Sequence, residues 1–423
     1  MAKITNVRAR QLIDCKRRPV VEVDVETDQG VVGRGCAPTG SSVGSHEAFV
    51  LRDGDPGRFG GLGVKKAVDN VQTVIRPALV GMDIESLRDI DTRMIELDGT
   101  ENKARLGGNA IYSVSVACLR AAAETNKVPA YEYLCGRKIH TVPVPSFNVV
   151  NGGRQGGLVQ PVNEFHLVPY KADGIEEAAE IGCVCFNMLE RVIAEYSRDI
   201  PRIGTSFGWV APSEDPEKVL EIIADAVNRC GYTDKVAYGL DWAAVEMYDA
   251  GSRTYLLHGE RISADDLIAY ATRLTEKFPF VFIEDLLDED DWDNYPKANA
   301  SLSRTLLIGD DFIVSNPARI RRAFETKAVD GFILKPNQVG TVSEALDTHA
   351  FAKAHGLYSV PSGRAGGVVG DIITDFSVGL EVPFVKSGAL RSGERLERLN
   401  FLLRACDLTP GCTMADLSSV VRF

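Results

Sequence analysis

The sequence predicts an α/β chain in which a smaller α+β unit precedes a barrel of alternating strands and helices. Three observations carry that expectation. Beyond Pro145, short β-branched runs alternate with helical stretches of about 12 residues, the pattern of parallel βα units. Five of those runs close on a charged residue, namely Asp241, Glu284, Asp310, Lys335 and Lys386. The first third of the chain has a different grammar, with strands first and helices after.

In order, "QLIDCKRRPVVEVDVETDQGVVGRGCAP" alternates apolar and polar residues, and its "DQG" supplies a turn between two strands. A Gly-rich segment follows, "APTGSSVGSHEAFVLRDGDPGRFGGLG", too polar for a core. A loop this long in a compact unit is functional or disordered. From Val64 to Leu134 the pattern is helical, most clearly in "KKAVDNVQTVIRPALV" and "NAIYSVSVACLRAAAETN". Pro143 and Pro145 mark a boundary that divides the chain into 1–140 and 141–423. Past it come "FHLVP", "VAYGLDWA", "FVFIED", "TLLIGDD", "GFILKP", "YSVPSG" and "FVKSG" as strands, with helical stretches such as "PEKVLEIIADAVNRCG" between them. The tail "ACDLTPGCTMADLSSVVRF" carries no pattern that assigns it a role.

Composition narrows the partners. The 423 residues are 45% hydrophobic and 25% charged, an ordinary soluble balance. Net charge is -12 and no Lys/Arg cluster stands out, which argues against a nucleic acid polymer. A small anionic substrate fits, because a local metal or lysine reverses the field within one cleft. The nine cysteines show no CxxC spacing and read as reduced thiols of a cytoplasmic protein. No signal-like start and no apolar run of about 18 residues is present, so neither secretion nor a membrane partner is expected.

Strand-end charges set the chemistry. In a βα barrel the C-terminal strand ends converge on one face, where reacting groups collect. Asp241, Glu284 and Asp310 close three strands there. Hard oxygen ligands from separate strands suit Mg²⁺. Helix capping is the plain alternative for any one acid alone. Lys335 and Lys386 follow on later strands, and a lysine beside a cation and a second lysine can be depressed toward neutrality and serve as a base. A Lys base with Mg²⁺ is an arrangement already attributed to enolase-superfamily sites.

The motifs "LDGTENKARLGGNAI", "NVVNGG", "IEDLLDEDDWDNY", "IGDDFIVSNPARI", "LKPNQVGTVSEAL" and "ALRSGERLERLNFLLR" are similar, one after another, to enolase, over nearly the whole chain. The resemblance implies an α+β capping domain, a modified TIM-like (β/α)8 barrel of enolase type, Mg²⁺ in the barrel mouth, and a homodimer or higher homo-oligomer. By position, Asp241, Glu284 and Asp310 match the family's metal ligands, and Lys335 its general base. Lys386 matches the lysine that stabilises the substrate carboxylate, Arg364 the phosphate-binding arginine, and Glu164 a supporting acid near the leaving group. Ser42 matches the mobile-loop serine that closes over substrate and a second Mg²⁺.

Other positions depart from that pattern. Ahead of "VAP" the family carries an Asp-Glu pair and two glycines, its Glu sharing in acid catalysis; here the pair is Ser206-Phe207 and the second glycine is Trp209. Within "VPSGRAGG", Ser362 and Arg364 are retained, Gly363 replaces a His, Ala365 replaces a phosphate-holding serine, and Gly367 leaves no Glu. Gln155 replaces a second active-site His, Arg154 adds a charge, and Asn163 is one carbon shorter than the family's Gln. Phe207 cannot give a proton, and loss of one oriented acid costs about 10²–10⁴-fold in rate. Gly363, Ala365 and Gly367 are expected to empty volume beside the phosphate position.

The expectation drawn from these changes is altered dehydration machinery on an intact anion platform. In that reading an activated phosphonoformate joins a phosphoenolpyruvate or 2-phosphoglycerate unit, giving carboxyphosphonoenolpyruvate in phosphinothricin-type antibiotic biosynthesis. Its substrates are small phosphorylated or phosphonylated anions, and Lys335 acts as base or only as a charge clamp. The alternatives are phosphopyruvate hydratase, a non-catalytic enolase-like binding protein, and another metal-dependent lyase of the superfamily.

Overall fold

The computed structural model describes residues 1–40, 44–157 and 160–423. Strands Ile4–Ile13, Pro19–Thr27 and Val32–Cys36 form an antiparallel sheet in chain order. Period-2 alternation sends Val21, Val23 and Val25 into the core of this unit. Helix Gly108–Thr125 lies directly on the sheet. Glycine is needed for that approach: a Cβ on Gly33 would stand 2.1 Å from the Ala117 carbonyl oxygen, and one on Gly35 2.1 Å from that of Ser113. Helix Leu87–Asp98 packs beside it.

Behind this unit eight strands form a ring: Val144–Asn151, Glu164–Val168, Ala237–Asp241, Phe280–Glu284, Leu306–Gly309, Gly331–Leu334, Tyr358–Pro361 and Phe384–Gly388. Each pairs with its sequence neighbour, and the eighth pairs with the first. An isolated parallel bridge between Ser362 and Lys386 joins the seventh to the eighth. The alternating run at 165–169 was expected to belong to a parallel unit; it is antiparallel to both neighbours. Between the first two strands lies the short loop 152–163, which has no helix among its described residues. A parallel return is usually carried by a helix, and this loop supplies none among its described residues; the chain doubles back antiparallel. Two successive helices, Ile175–Ser197 and Pro216–Arg229, then lead into the third strand. Pro145, expected at a boundary, sits within the first barrel strand opposite Val385.

Inside the ring, Val281, Phe282, Leu306, Ile308, Ile333, Val360 and Phe384 make a packed core, not a channel. Leu417 and Val420 of the tail are buried against that cluster. Arg422 pairs with Asp330 at 2.8 Å, so the tail covers the end of the barrel opposite the strand C-termini. None of the helices among the described residues is long and apolar enough to cross a membrane.

Candidate active site

Strand register builds the site. Glu164 lies opposite Asp241, and Asp241 opposite Glu284, on three adjacent strands. The reversal of the second strand puts its first residue, Glu164, at the mouth where its neighbours end. Asp310 and Lys335 follow their strands by one residue, and Lys386 lies within the eighth. A cavity of about 160 Å³ opens there, lined by Glu164, Asp241, Asp310, Lys335 and Lys386 among others. Glu284, fully buried, lies outside that lining.

Two ion-pair groups divide the charge. The Lys386 ammonium donates to Glu284 and to Asp241 Oδ2 (3.1 Å), with Glu164 Oε2 at 3.9 Å. Lys335 pairs with Asp310, whose other oxygen accepts from Gln338 Nε2 at 2.9 Å. Asp285 receives the backbone N–H groups of Asp310 (2.8 Å) and Asp311 (2.7 Å). Burial raises the Asp241 and Glu284 carboxyls, with Lys386 pulling the other way. Burial and then the Asp310 charge push Asp285 up to about 7. For Lys335, burial is the largest influence and lowers the pKa, but the surrounding carboxylates, Asp310 first and then Glu284, together carry the net shift upward. Its closest neighbour is an anion, the Asp310 carboxylate, and the lowering effects of Arg364 and Lys386 are smaller than the raising effect of Asp310.

At the rim, Arg364 makes two hydrogen bonds to Glu47, Nη1 to Oε2 at 2.7 Å and Nη2 to Oε1 at 2.9 Å, with both side chains buried. Glu47 belongs to the Gly-rich segment after the third strand, so that loop seats on the barrel mouth; Ala48 N also donates to the Gln338 carbonyl at 2.7 Å. Ser42, in the same segment, lies outside the described residues. Glu164 Oε2 is 3.2 Å from His166 Nε2, and His166 Nδ1 is 3.0 Å from Ser146 Oγ, so a hydrogen-bonded chain runs inward from the cavity wall.

Both parts of the chain match family models, residues 4–134 that of "Enolase, N-terminal domain" and residues 139–411 that of "Enolase, C-terminal TIM barrel domain". The chain belongs to the enolase family. It is 40% identical to the enolase of Methanocaldococcus jannaschii over 403 residues, 95% of this chain and 94% of that one. It is 39% identical to the Methanopyrus kandleri enolase over 408 residues (96% and 95%), and 38% identical to enolase B of Dictyostelium discoideum over 416 (95% and 94%). These full-length likenesses overturn the carboxyphosphonoenolpyruvate reading, and with it the phosphinothricin and transferase assignments. The hydratase alternative is the better supported.

Against the enolase pattern, the departures fall in different places. Ser206, Gln155, Asn163, Arg154, Gly363 and Ala365 line the cavity, as does the retained Ser362. Gln155 Oε1, Asn163 Oδ1 and Ser206 Oγ are buried without a hydrogen-bond partner. Trp209 is a core residue: it stacks on Phe186 at 5.4 Å and donates Nε1–H to the Phe186 carbonyl at 3.1 Å. Phe207 holds φ 70° and lies under the Arg395 guanidinium, 4.6 Å from its ring centre, outside the cavity lining. Arg154 turns its backbone N–H to Glu246 Oε2 at 3.2 Å.

The volume expected beside the phosphate position is filled. A Cβ on Gly363 would stand 2.0 Å from the Arg398 guanidinium, and one on Gly367 2.8 Å from Glu394 Cγ. Sequence reasoning passed over Arg395 and Arg398, although both lie in the quoted "SGERLERLN" and their i, i+3 spacing puts them on one helix face. It also passed over Glu47, His166, Glu246 and Asp311. Oxygens of Asp285, Asp310 and Asp311 lie within 4.8 Å of one another. Of the expected ligand set only Asp310 is in that group, because Asp241 and Glu284 turn to the Lys386 ammonium.

Proposed function

We propose that this protein is a Mg²⁺-dependent phosphopyruvate hydratase, interconverting 2-phosphoglycerate and phosphoenolpyruvate. The observation that carries it is the meeting of Lys335 and Lys386 in one cavity with carboxylates from neighbouring barrel strands. The full-length likeness to named enolases supports the same reaction.

The donor set suits a hard cation: Asp241, Glu284 and Asp310 present carboxylate oxygens from successive strands, and Glu284 Oε1 is buried with no hydrogen-bond partner. These three residues would hold Mg²⁺. Mg²⁺ held there would supply positive charge that offsets the negative charge gathered on a bound carboxylate substrate. Lys386 adds a fixed ammonium on the same side. Lys335 carries the α-proton: as a neutral amine it takes the proton from C2 of 2-phosphoglycerate, and as an ammonium it returns one to C2 of the enol phosphate. Arg364 faces the phosphoryl group beside Ser362. Residues 1–140 serve as a cap on 141–423, and the enzyme is a cytoplasmic homo-oligomer, in keeping with the resemblance.

Position 207 supplies no acid for the leaving hydroxyl, so the reading separates two rates. Exchange of the C2 proton of 2-phosphoglycerate with solvent deuterium should be fast in Mg²⁺, and formation of phosphoenolpyruvate slower. Lys335→Ala should abolish both. Absence of both exchange and phosphoenolpyruvate formation in the wild-type protein would reject the proposal.

A further inference from the structure

Arg398 is a buried cation on the cavity wall whose hydrogen-bonding capacity is not met. Its side chain comes from helix Gly393–Asp407, is 5% exposed, and lines the cavity beside Gly363 and Arg364. Neither Nε nor Nη2 has a hydrogen-bond partner. The nearest acid, Asp371, stands with Oδ2 at 3.5 Å from Nη2, and that oxygen is itself without a hydrogen-bond partner. Leaving a buried charged donor unmet costs more than leaving a neutral one, so a fork of this kind points to an anion that completes it.

Its place in the wall is bound up with Gly363. The guanidinium occupies the space a side chain at 363 would need, with Cζ and Nη2 both 2.0 Å from a Cβ built there. Any residue other than glycine at 363 therefore displaces Arg398. A planar fork with permanent charge suits a carboxylate or phosphoryl group, and Arg364 beside it already commits two hydrogen bonds to Glu47.

We propose that Arg398 is a specificity-determining residue that takes a phosphoryl oxygen of the substrate through Nε and Nη2, in the space left by Gly363. The identity of the substrate rests on the hydratase reading; the oxyanion site does not. Inorganic phosphate is the probe, titrated calorimetrically into the full-length protein with Mg²⁺ present. Arg398→Met should weaken phosphate binding at least 10-fold, and Arg398→Lys, which keeps charge but not the fork, by a smaller factor. Gly363→Ala should weaken it as Arg398→Met does, and the double variant no further, because both changes remove the same contact. An unchanged affinity in Arg398→Met overturns the proposal, as does a wild-type protein that binds no phosphate. Should Arg398→Met fail to fold, an unchanged affinity in Arg398→Lys overturns it equally. Phosphate binding that depends on Arg398 in a protein with no turnover would instead reject the hydratase reading alone.

Discussion

Lys386→Met would expose how the barrel mouth balances its charge. The Lys386 ammonium is buried against Glu284 and Asp241, with Glu164 at 3.9 Å. Removing one partner of a buried ion pair costs about 3–5 kcal/mol, because the remaining charge is left without compensation. Here the residual charges are carboxylates already raised by burial, so they protonate more readily and the cost grows as pH rises. A divalent cation can take the place of the ammonium. At about 100 times its Kd, Mg²⁺ returns about 2.7 kcal/mol. In the wild-type protein the ion must compete with the lysine for the same oxygens, so its stabilising effect should be smaller. Urea unfolding of both proteins, in chelator and in Mg²⁺, reads these differences directly. The reasoning fails if Lys386→Met unfolds at the wild-type midpoint in chelator, or if Mg²⁺ shifts both proteins equally.

Two further substitutions test other parts of the account. Asp91 is 1% exposed, accepts from Ser343 N at 3.0 Å, and is raised by burial from 3.8 to about 6. A folded pKa above the unfolded value gives stability that is complete below about pH 4 and lost as pH rises through 6. That loss amounts to about 3 kcal/mol at neutral pH. Asp91→Asn should therefore gain on the wild type between pH 4 and 7 in paired thermal scans, and a constant difference would contradict this. Phe207→Glu should raise phosphoenolpyruvate formation by about 10²-fold, the low end for a positioned acid, because Arg395 beside it lowers the new carboxyl. A folded variant with unaltered turnover would show that position 207 is remote from the leaving group.

Much of the fold is written locally. The valines of Pro19–Thr27 alternate, and the runs before Asp241, Glu284, Asp310 and Lys335 are short, apolar and β-branched or aromatic, so a strand-end charge pattern was visible without coordinates. The reversed strand Glu164–Val168 was not, since strand direction depends on how the chain returns and not on the strand's own residues. Trp209 shows the same limit: aromatic character says nothing of which side of a loop it takes, and Phe186, whose ring and carbonyl hold it, lies on a distant helix. The emptied volume inferred at Gly363 failed because a missing side chain leaves room for any neighbour, and Arg398 reaches in from another element. Likewise the pKa of Lys335 depends on which acid it touches, and strand spacing alone does not fix that contact.

The single bridge between Ser362 and Lys386 gives the barrel a thin seam. On one side of it lie Gly363 and Arg364, on the other the ammonium that meets the acids. A ligand gripped from both sides would act as a staple across the least-bonded joint of the cylinder. Amide hydrogens at that joint should then exchange more slowly once ligand is bound, while strands paired along their whole length, such as Gly331–Leu334 with Tyr358–Pro361, should hardly change. Catalysis and mechanical closure of the fold would share one set of residues, and a gain in substrate affinity would register as a stiffer barrel.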